Sequence, residues 1–166
     1  MWTCENCFLV QIEQYVESET IFQDYAYFSS YSDSWLEHAR AFSEKATERF
    51  ELDADSYVVE IASNDGYLLQ NFVQRGIPCL GIDPARNVAK VAQERGIPTL
   101  VEFFGGDLAD RLGREGRRPN LLIGNNVLAQ VPDLNDFVDG VAKFLAPEGV
   151  AVFEFPHVLR LLEQTQ

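Results

Sequence analysis

Basic side chains are scarce in this chain: 13 Lys and Arg stand against 26 Asp and Glu, a net charge of −13 over 166 residues. That balance opposes a polyanionic backbone, which is normally gripped by a basic stripe, so nucleic acid is not expected as a partner. The same field mildly favours a cationic ligand, and more generally keeps a protein in solution. Long apolar runs are missing, and no basic-then-apolar leader precedes Trp2, so no membrane partner and a cytoplasmic location are expected. Cysteine is limited to three residues, an odd number that argues for free thiols or a metal rather than a disulfide framework. Histidine occurs only as His38 and His157, leaving few positions for an imidazole base. With 46% hydrophobic residues, a chain of this length can bury the core of one domain and hardly two.

A dinucleotide fingerprint is absent as well. The run Val58-Val59-Glu60-Ile61-Ala62-Ser63-Asn64-Asp65-Gly66-Tyr67-Leu68-Leu69 passes from an apolar strand through a short polar turn into a helix, but only Gly66 in that turn is glycine. A pyrophosphate wants G-x-G-x-x-G, so that the phosphates can approach the backbone. The turn instead offers amide donors at a helix start, expected to be unpaired and open to a ligand, and residues that tolerate unusual backbone angles. A second apolar run, Cys79 to Ile82, ends in Asp83-Pro84, which places a carboxylate at a strand terminus where it can accept from both hydroxyls of a ribose. A solvated turn aspartate is the alternative for Asp83.

From Tyr57 onward short apolar runs alternate with helical stretches, the pattern of βαβ units on a parallel sheet. Strands are expected at Tyr57 to Ala62, Cys79 to Asp83, Thr99 to Glu102, Asn120 to Gly124 and Val150 to Phe155. Helices are expected at Leu68 to Arg75, Asn87 to Arg95, Leu108 to Leu112 and Asn135 to Leu145, with a surface loop from Gly113 to Pro119. The echo of Arg75-Gly76-Ile77-Pro78 in Arg95-Gly96-Ile97-Pro98 puts glycine where a helix needs a left-handed cap and proline just beyond it. Right-handed crossovers with one reversal give an α/β, doubly wound sheet ordered 3-2-1-4-5. Ahead of it, Ser34-Trp35-Leu36-Glu37 has capping-box spacing, and Trp35, Ala39, Phe42, Ala46 and Phe50 form one apolar helical face.

The segments Cys4-Glu5-Asn6-Cys7-Phe8-Leu9-Val10-Gln11, Tyr25-Ala26-Tyr27-Phe28-Ser29-Ser30, Glu60-Ile61-Ala62-Ser63-Asn64-Asp65-Gly66, Asn125-Asn126-Val127-Leu128-Ala129 and Glu154-Phe155-Pro156 fall in one order along the chain. Together they resemble the S-adenosylmethionine-dependent methyltransferases, and within them the sugar C-methyltransferases that act on nucleotide-linked deoxy-keto sugars. The resemblance implies a Rossmann-like methyltransferase sheet over residues 34–166, preceded by a zinc-ribbon remnant and pocket-closing loop in residues 1–33. It also implies two further strands and a second lobe beyond Gln166, so the chain reads as the front portion of a longer enzyme, inactive by itself.

The same resemblance assigns cofactor-site roles to Glu60, Ala62, Ser63, Asn64, Gly66, Asp83, Pro84, Phe104, Asn125 and Asn126. Glu60, odd inside a strand, sits under the methionine end of the cofactor by that analogy; a strand-end charge reaching solvent is the other reading. Asn125 and Asn126 serve either the methyl-donor pocket or as turn caps. One ring of Phe103 and Phe104 stacks on adenine, or both are core. Tyr25, Tyr27, Ser29 and Ser30 close over a polar ligand, or form a loop packed by its own tyrosines. Cys4 and Cys7 are half of a four-ligand zinc site; no second pair accompanies them, and two free thiols are expected. The histidine-rich stretch that holds the family's base is absent, which leaves Tyr27 and His157 as weak catalytic candidates. Two rival readings share the sheet: a nicotinamide-dependent oxidoreductase or epimerase, and a non-catalytic module that binds S-adenosylmethionine without chemistry.

Overall fold

The computed structural model describes residues 2–22 and 24–164. It opens with a two-stranded antiparallel hairpin, β1 (Trp2–Thr3) and β2 (Val10–Gln11), and a short helix, α1 (Ser18–Phe22). A single 3-10 turn at Ser29–Tyr31 then leads into the longest helix, α2 (Asp33–Arg49). The cap of α2 is Ser32, whose side chain accepts from the Trp35 amide at 3.3 Å; the capping box starting at Ser34 is not formed. Ser34 lies inside the first turn, and its hydroxyl only touches that of Ser32, at 3.1 Å. The expected apolar face is nonetheless the one that packs: Ala39 and Ala46 are buried, with Trp35, Phe42 and Phe50 against the same core.

The main sheet has five parallel strands, β3 (Val58–Ile61), β4 (Cys79–Ile82), β5 (Thr99–Leu100), β6 (Leu121–Asn125) and β7 (Val150–Glu154). Their spatial order, β5-β4-β3-β6-β7, is the doubly wound arrangement expected from the sequence. The reversal lies at β3, which pairs Ile61 with Ile82 of β4 on one side and with Gly124 of β6 on the other. A crevice opens there beyond the carboxyl ends of the strands.

Alternation along the central strands sorts side chains into two cores. Val58, Leu121 and Ile123 face Ala39 and Ala46 of α2 and Phe72 of α3 (Gln70–Val73). Val59, Ile61, Leu80, Ile82 and Leu122 face α5 (Gly106–Arg114) and α6 (Leu134–Phe144), with Leu112, Phe137 and Phe144 at the centre. Glu60 falls on the α2 side by the same alternation. Helices α4 (Arg86–Glu94) and α7 (Val158–Gln164), with a second 3-10 turn at Leu128–Gln130, complete the described elements.

Helix ends explain where expectation and structure part. After α3, Gly76 takes φ 71° and the Ile77 amide reaches back to the Phe72 carbonyl at 3.0 Å. After α4, Gly96 at φ 80° and Ile97 to Ala92 at 3.0 Å repeat it. A third copy ends α5, with Gly116 at φ 79° and Arg117 bonded to Leu112 at 3.1 Å. Gly113 and Arg114 therefore belong to a helix, not to the loop expected there, and α5 also starts two residues earlier than Leu108. The helix expected from Leu68 narrows to α3, because the residues before Gln70 bond in tighter three-residue turns such as Asn71 to Leu68 at 3.1 Å.

Candidate functional site

A cavity of about 190 Å³ occupies the crevice at the reversal, and its wall includes Ala62, Asn64, Tyr67, Asp83, Phe103 and Asn125. Such a place is the default ligand site of an open α/β sheet. The turn after β3 forms its floor. Ala62 and Asn64 have φ 57° and 51°, the left-handed region that side chains rarely adopt, and Asn126 across the crevice has φ 54°. Strain of this kind persists only where the surroundings hold it, and it clusters at functional sites. Here the hold is visible: the Asn64 amide donates to Asp83 Oδ2 at 2.8 Å, and the Asn64 side chain accepts from the amides of Asp65 and Ser29, both at 2.9 Å.

Gly66, at φ 77°, closes the turn in a conformation that strains any side chain, and a Cβ there would also push against the tip of Ile97. Every amide from Ala62 to Gly66 is thereby spoken for. Ala62 and Ser63 donate to the Ile82 carbonyl, Asn64 to Asp83, Asp65 to Asn64 and Gly66 to Ser63. The turn itself offers no open amide, since the Ile82 and Ser63 carbonyls and the Asp83 and Asn64 side chains take them all; among the described residues the amides that follow it, those of Tyr67, Leu68 and Leu69 at the start of the helical segment, are without an acceptor.

Asp83 stands at the end of β4, 5% exposed, and lines the cavity. Its other oxygen, Oδ1, accepts from the Ala85 amide at 2.8 Å. Burial raises its pKa above the ordinary carboxylate range, more than those two amides lower it. Each oxygen keeps acceptor capacity beyond its single backbone bond. An aromatic corner lies beside it: Phe22 is 5.5 Å from Tyr25 and 6.1 Å from Phe103, centroid to centroid. Phe104 also lines the cavity but is tied into the core, edge-on to Phe137 at 5.3 Å.

At the opposite end, Asn125 and Asn126 follow β6. Asn125 Nδ2 donates to the Tyr67 hydroxyl at 3.0 Å, and the Asn126 amide donates to the Glu154 carbonyl at 2.6 Å. Tyr67 was not singled out in the sequence; its place directly after Gly66, in an otherwise apolar run, is the signal that could have marked it. Pro84, too, lines the cavity.

Glu60, Ser63 and Gly66 do not line it. Glu60 is fully buried in the middle of β3, and neither of its oxygens makes a hydrogen bond. Burial holds it well above the usual carboxylate range; the Tyr67 hydroxyl works the other way, and the charges of Asp83 and Asp65 push further up. Ser63 is buried under Gly81, where a Cβ would meet its hydroxyl at 2.4 Å. Tyr27 lines the cavity at 55% exposure, whereas His157 is exposed and lies outside the wall. His38 bonds Glu154 Oε2 at 2.7 Å and stacks on Trp35.

The segment from Tyr25 to Tyr31 crosses the cavity as a strap. Asn87 clasps Tyr25 through both its amide and its carbonyl, at 3.0 and 2.8 Å. Asn64 donates to the Tyr27 carbonyl at 3.0 Å, and the buried Asp65 carboxylate takes the amide and hydroxyl of Ser30. Arg95 backs this contact, 3.5 Å from Asp65 Oδ2. None of these fastenings was read from the sequence, because Asn87 and Arg95 look like ordinary solvated helix residues.

Cys4 and Cys7 are thiols in the loop between β1 and β2. Backbone N–H groups of Cys7 and Asn6 donate to the Cys4 sulfur and lower its pKa. Among the described residues no group of three or more His, Cys, Asp or Glu converges on a common point, and no helix is long and apolar enough to cross a membrane.

Residues 33–165 match the sequence profile of the family described as Methyltransferase domain. Over 163 residues the chain is 32% identical to the C-methyltransferase NovU of Streptomyces niveus, covering 98% of this chain and 39% of that protein. It thus spans well under half the length of that relative. Among solved structures, DesVI of Streptomyces venezuelae superposes with a TM-score of 0.57 at 17% identity, over 74% of this chain and 51% of that one. The plantazolicin methyltransferase BpumL, solved with a desmethyl analogue and SAH, superposes with a TM-score of 0.55 at 11% identity, over 70% and 44%. Likenesses at those identities speak for the fold.

Proposed function

This chain belongs to the methyltransferase domain family, whose cofactor is S-adenosylmethionine, and on that premise we propose that the whole enzyme methylates a carbon of a nucleotide-linked deoxy-keto sugar. The observation that supports this chain as the cofactor-holding part is the polarity of its crevice. A buried strand-end carboxylate, Asp83, faces the cavity, while every amide of the neighbouring turn is already used. A diol is what such a carboxylate accepts from, and the turn from Ala62 to Gly66 has no free amide to give a pyrophosphate.

The residues fit the cofactor in kind. Asp83 would take the ribose hydroxyls, the Phe22, Tyr25 and Phe103 corner would cover the base, and Asn125 would accept from the amino group of the methionine part. When bound, S-adenosylmethionine supplies an electrophilic methyl group. The chain's own work is to orient it and, through the Tyr25–Tyr31 strap, to keep water away. Carbon as acceptor rests on the likeness to the C-methyltransferase NovU, and the sugar on the sequence resemblance described above. Transfer to carbon also needs a base for the acidic proton, and of the two candidates in this chain only Tyr27 stands at the cleft.

Preferential binding to the folded state stabilises it by an amount that grows with the logarithm of ligand excess over Kd, roughly 2.7 kcal/mol at a hundredfold excess, and so raises the melting temperature. We expect S-adenosylhomocysteine to stabilise the chain in a concentration-dependent way and NAD to leave it unmoved, read by thermal shift and calorimetry. Tighter binding of NAD would return the nicotinamide reading to first place.

A further inference from the structure

We propose that Tyr67 is a positioning residue for the cofactor: relayed from the buried Glu60, its hydroxyl fixes the Asn125 side-chain amide with the carbonyl oxygen turned to the cavity. The proposal rests on the reading of the cleft as an S-adenosyl site and goes beyond it, by naming what sets the polarity of one wall.

An asparagine amide presents either an acceptor or a pair of donors, depending on a half-turn about its last bond, and only its neighbours decide which. For Asn125 the neighbour is Tyr67 Oη, 3.0 Å from Nδ2. That hydroxyl is deeply buried, the tyrosine being 3% exposed and packed in the core with its ring 6.0 Å from Trp35. By accepting from Asn125 the hydroxyl keeps its own proton to give. A buried hydroxyl proton without an acceptor is costly, as is a buried carboxyl without a donor.

The Glu60 oxygens are the complement, fully buried and with no hydrogen-bond partner. The two groups sense one another: the tyrosine hydroxyl favours ionised Glu60, and Glu60 raises the tyrosine pKa. The direction Asn125 to Tyr67 to Glu60 leaves each member able to use its polar atoms, and Glu60 accepts whether or not it carries a proton, since a carboxylic acid retains a carbonyl oxygen. Asn125 Oδ1 is then the atom facing the cavity, and an oxygen in that place accepts from an ammonium. A reversed relay would turn Nδ2 outward and repel the same cation.

The test separates the amino-acid end of the ligand from its adenosine end. S-adenosylhomocysteine carries the ammonium; methylthioadenosine shares the thioadenosine but lacks it. For Tyr67→Phe, which keeps the ring and removes the hydroxyl, calorimetry should show about a tenfold loss of affinity for S-adenosylhomocysteine, the size of one hydrogen bond to a charged group, and no change for methylthioadenosine. Glu60→Gln retains a carbonyl acceptor for the tyrosine proton and should bind both ligands as the native chain does; Glu60→Leu should reproduce the Tyr67→Phe pattern. Unliganded melting curves verify that each variant is folded. Equal weakening of both ligands by Tyr67→Phe, or no weakening of either, would overturn the proposal. Failure of the native chain to bind either ligand would instead remove the S-adenosyl reading on which it rests.

Discussion

A carboxyl group buried in full is expensive to ionise, and in Glu60 the cost has a sign that can be measured. Its folded-state pKa is raised by burial, so between the ordinary carboxylate range and that higher value the native state holds a proton that the unfolded chain has released. Stability must therefore fall as pH rises through this window, and it is fully present only below it. Glu60→Gln cannot titrate. We expect the variant to melt with the native chain at acid pH and progressively above it as pH rises to 8, at roughly 2–4 °C per kcal/mol for a chain of this size. A constant difference across pH would mean that Glu60 is not held neutral by the fold. The sequence made Glu60 conspicuous, as an acid between Val59 and Ile61, yet it gave no sign of Tyr67 as neighbour. Hydrophobic pattern encodes which face a residue is on, not which polar atom on another element meets it there. Asp83 was legible for the opposite reason, since a strand end followed by proline fixes its place by local chemistry alone.

Elements were easier to read than contacts because each is specified within its own few residues. All five strands of the parallel sheet stand within two residues of their expected ends, set by short apolar runs and by glycine caps. The misplacement of the α2 cap is instructive. Ser32 and Ser34 both precede the apolar face, and Glu37 three residues after Ser34 completes a box pattern. Glu37 instead pairs with Arg40 at 2.6 Å along the exposed side of the helix, leaving Ser32 to hold the first turn. The two serines should therefore respond differently to truncation. Ser32→Ala removes a cap and should cost about 1 kcal/mol, whereas Ser34→Ala should stay within about 0.5 kcal/mol of the native chain, as read by urea denaturation. If Ser34→Ala proved the more damaging, the helix would start where the spacing first suggested.

At the scale of the whole molecule, the strap and the sheet are one mechanical unit joined through Asn64. Its amide is held by Asp83, its side chain holds Tyr27 and Ser29, and its backbone is kept at a strained angle between them. A ligand that engages Asp83 acts on a residue two hydrogen bonds away from the strap, through Asn64, and Tyr25 and Tyr27 line the same cavity. Binding should thus order the strap more than the sheet, which is already buried. The clasp by Asn87 offers a way to weaken the strap without disturbing the turn, since Asn87 touches Tyr25 from the start of α4 rather than from the cleft floor. Losing two hydrogen bonds of roughly 1 kcal/mol each would raise local opening by about ten- to thirtyfold. In hydrogen exchange followed by mass spectrometry, we expect Asn87→Ala to speed exchange in peptides covering 25–31 by that factor while peptides from the central strands keep their protection. S-adenosylhomocysteine should slow the same peptides in the native chain and recover part of the loss in the variant, because the Asp83 to Asn64 link remains. Equal protection of strap and sheet by the ligand would show that binding stabilises the fold as a whole and that Asn64 transmits nothing particular. An unchanged strap in Asn87→Ala would place its stability in the Asp65, Ser30 and Arg95 contacts, making Arg95→Ala the next variant to measure.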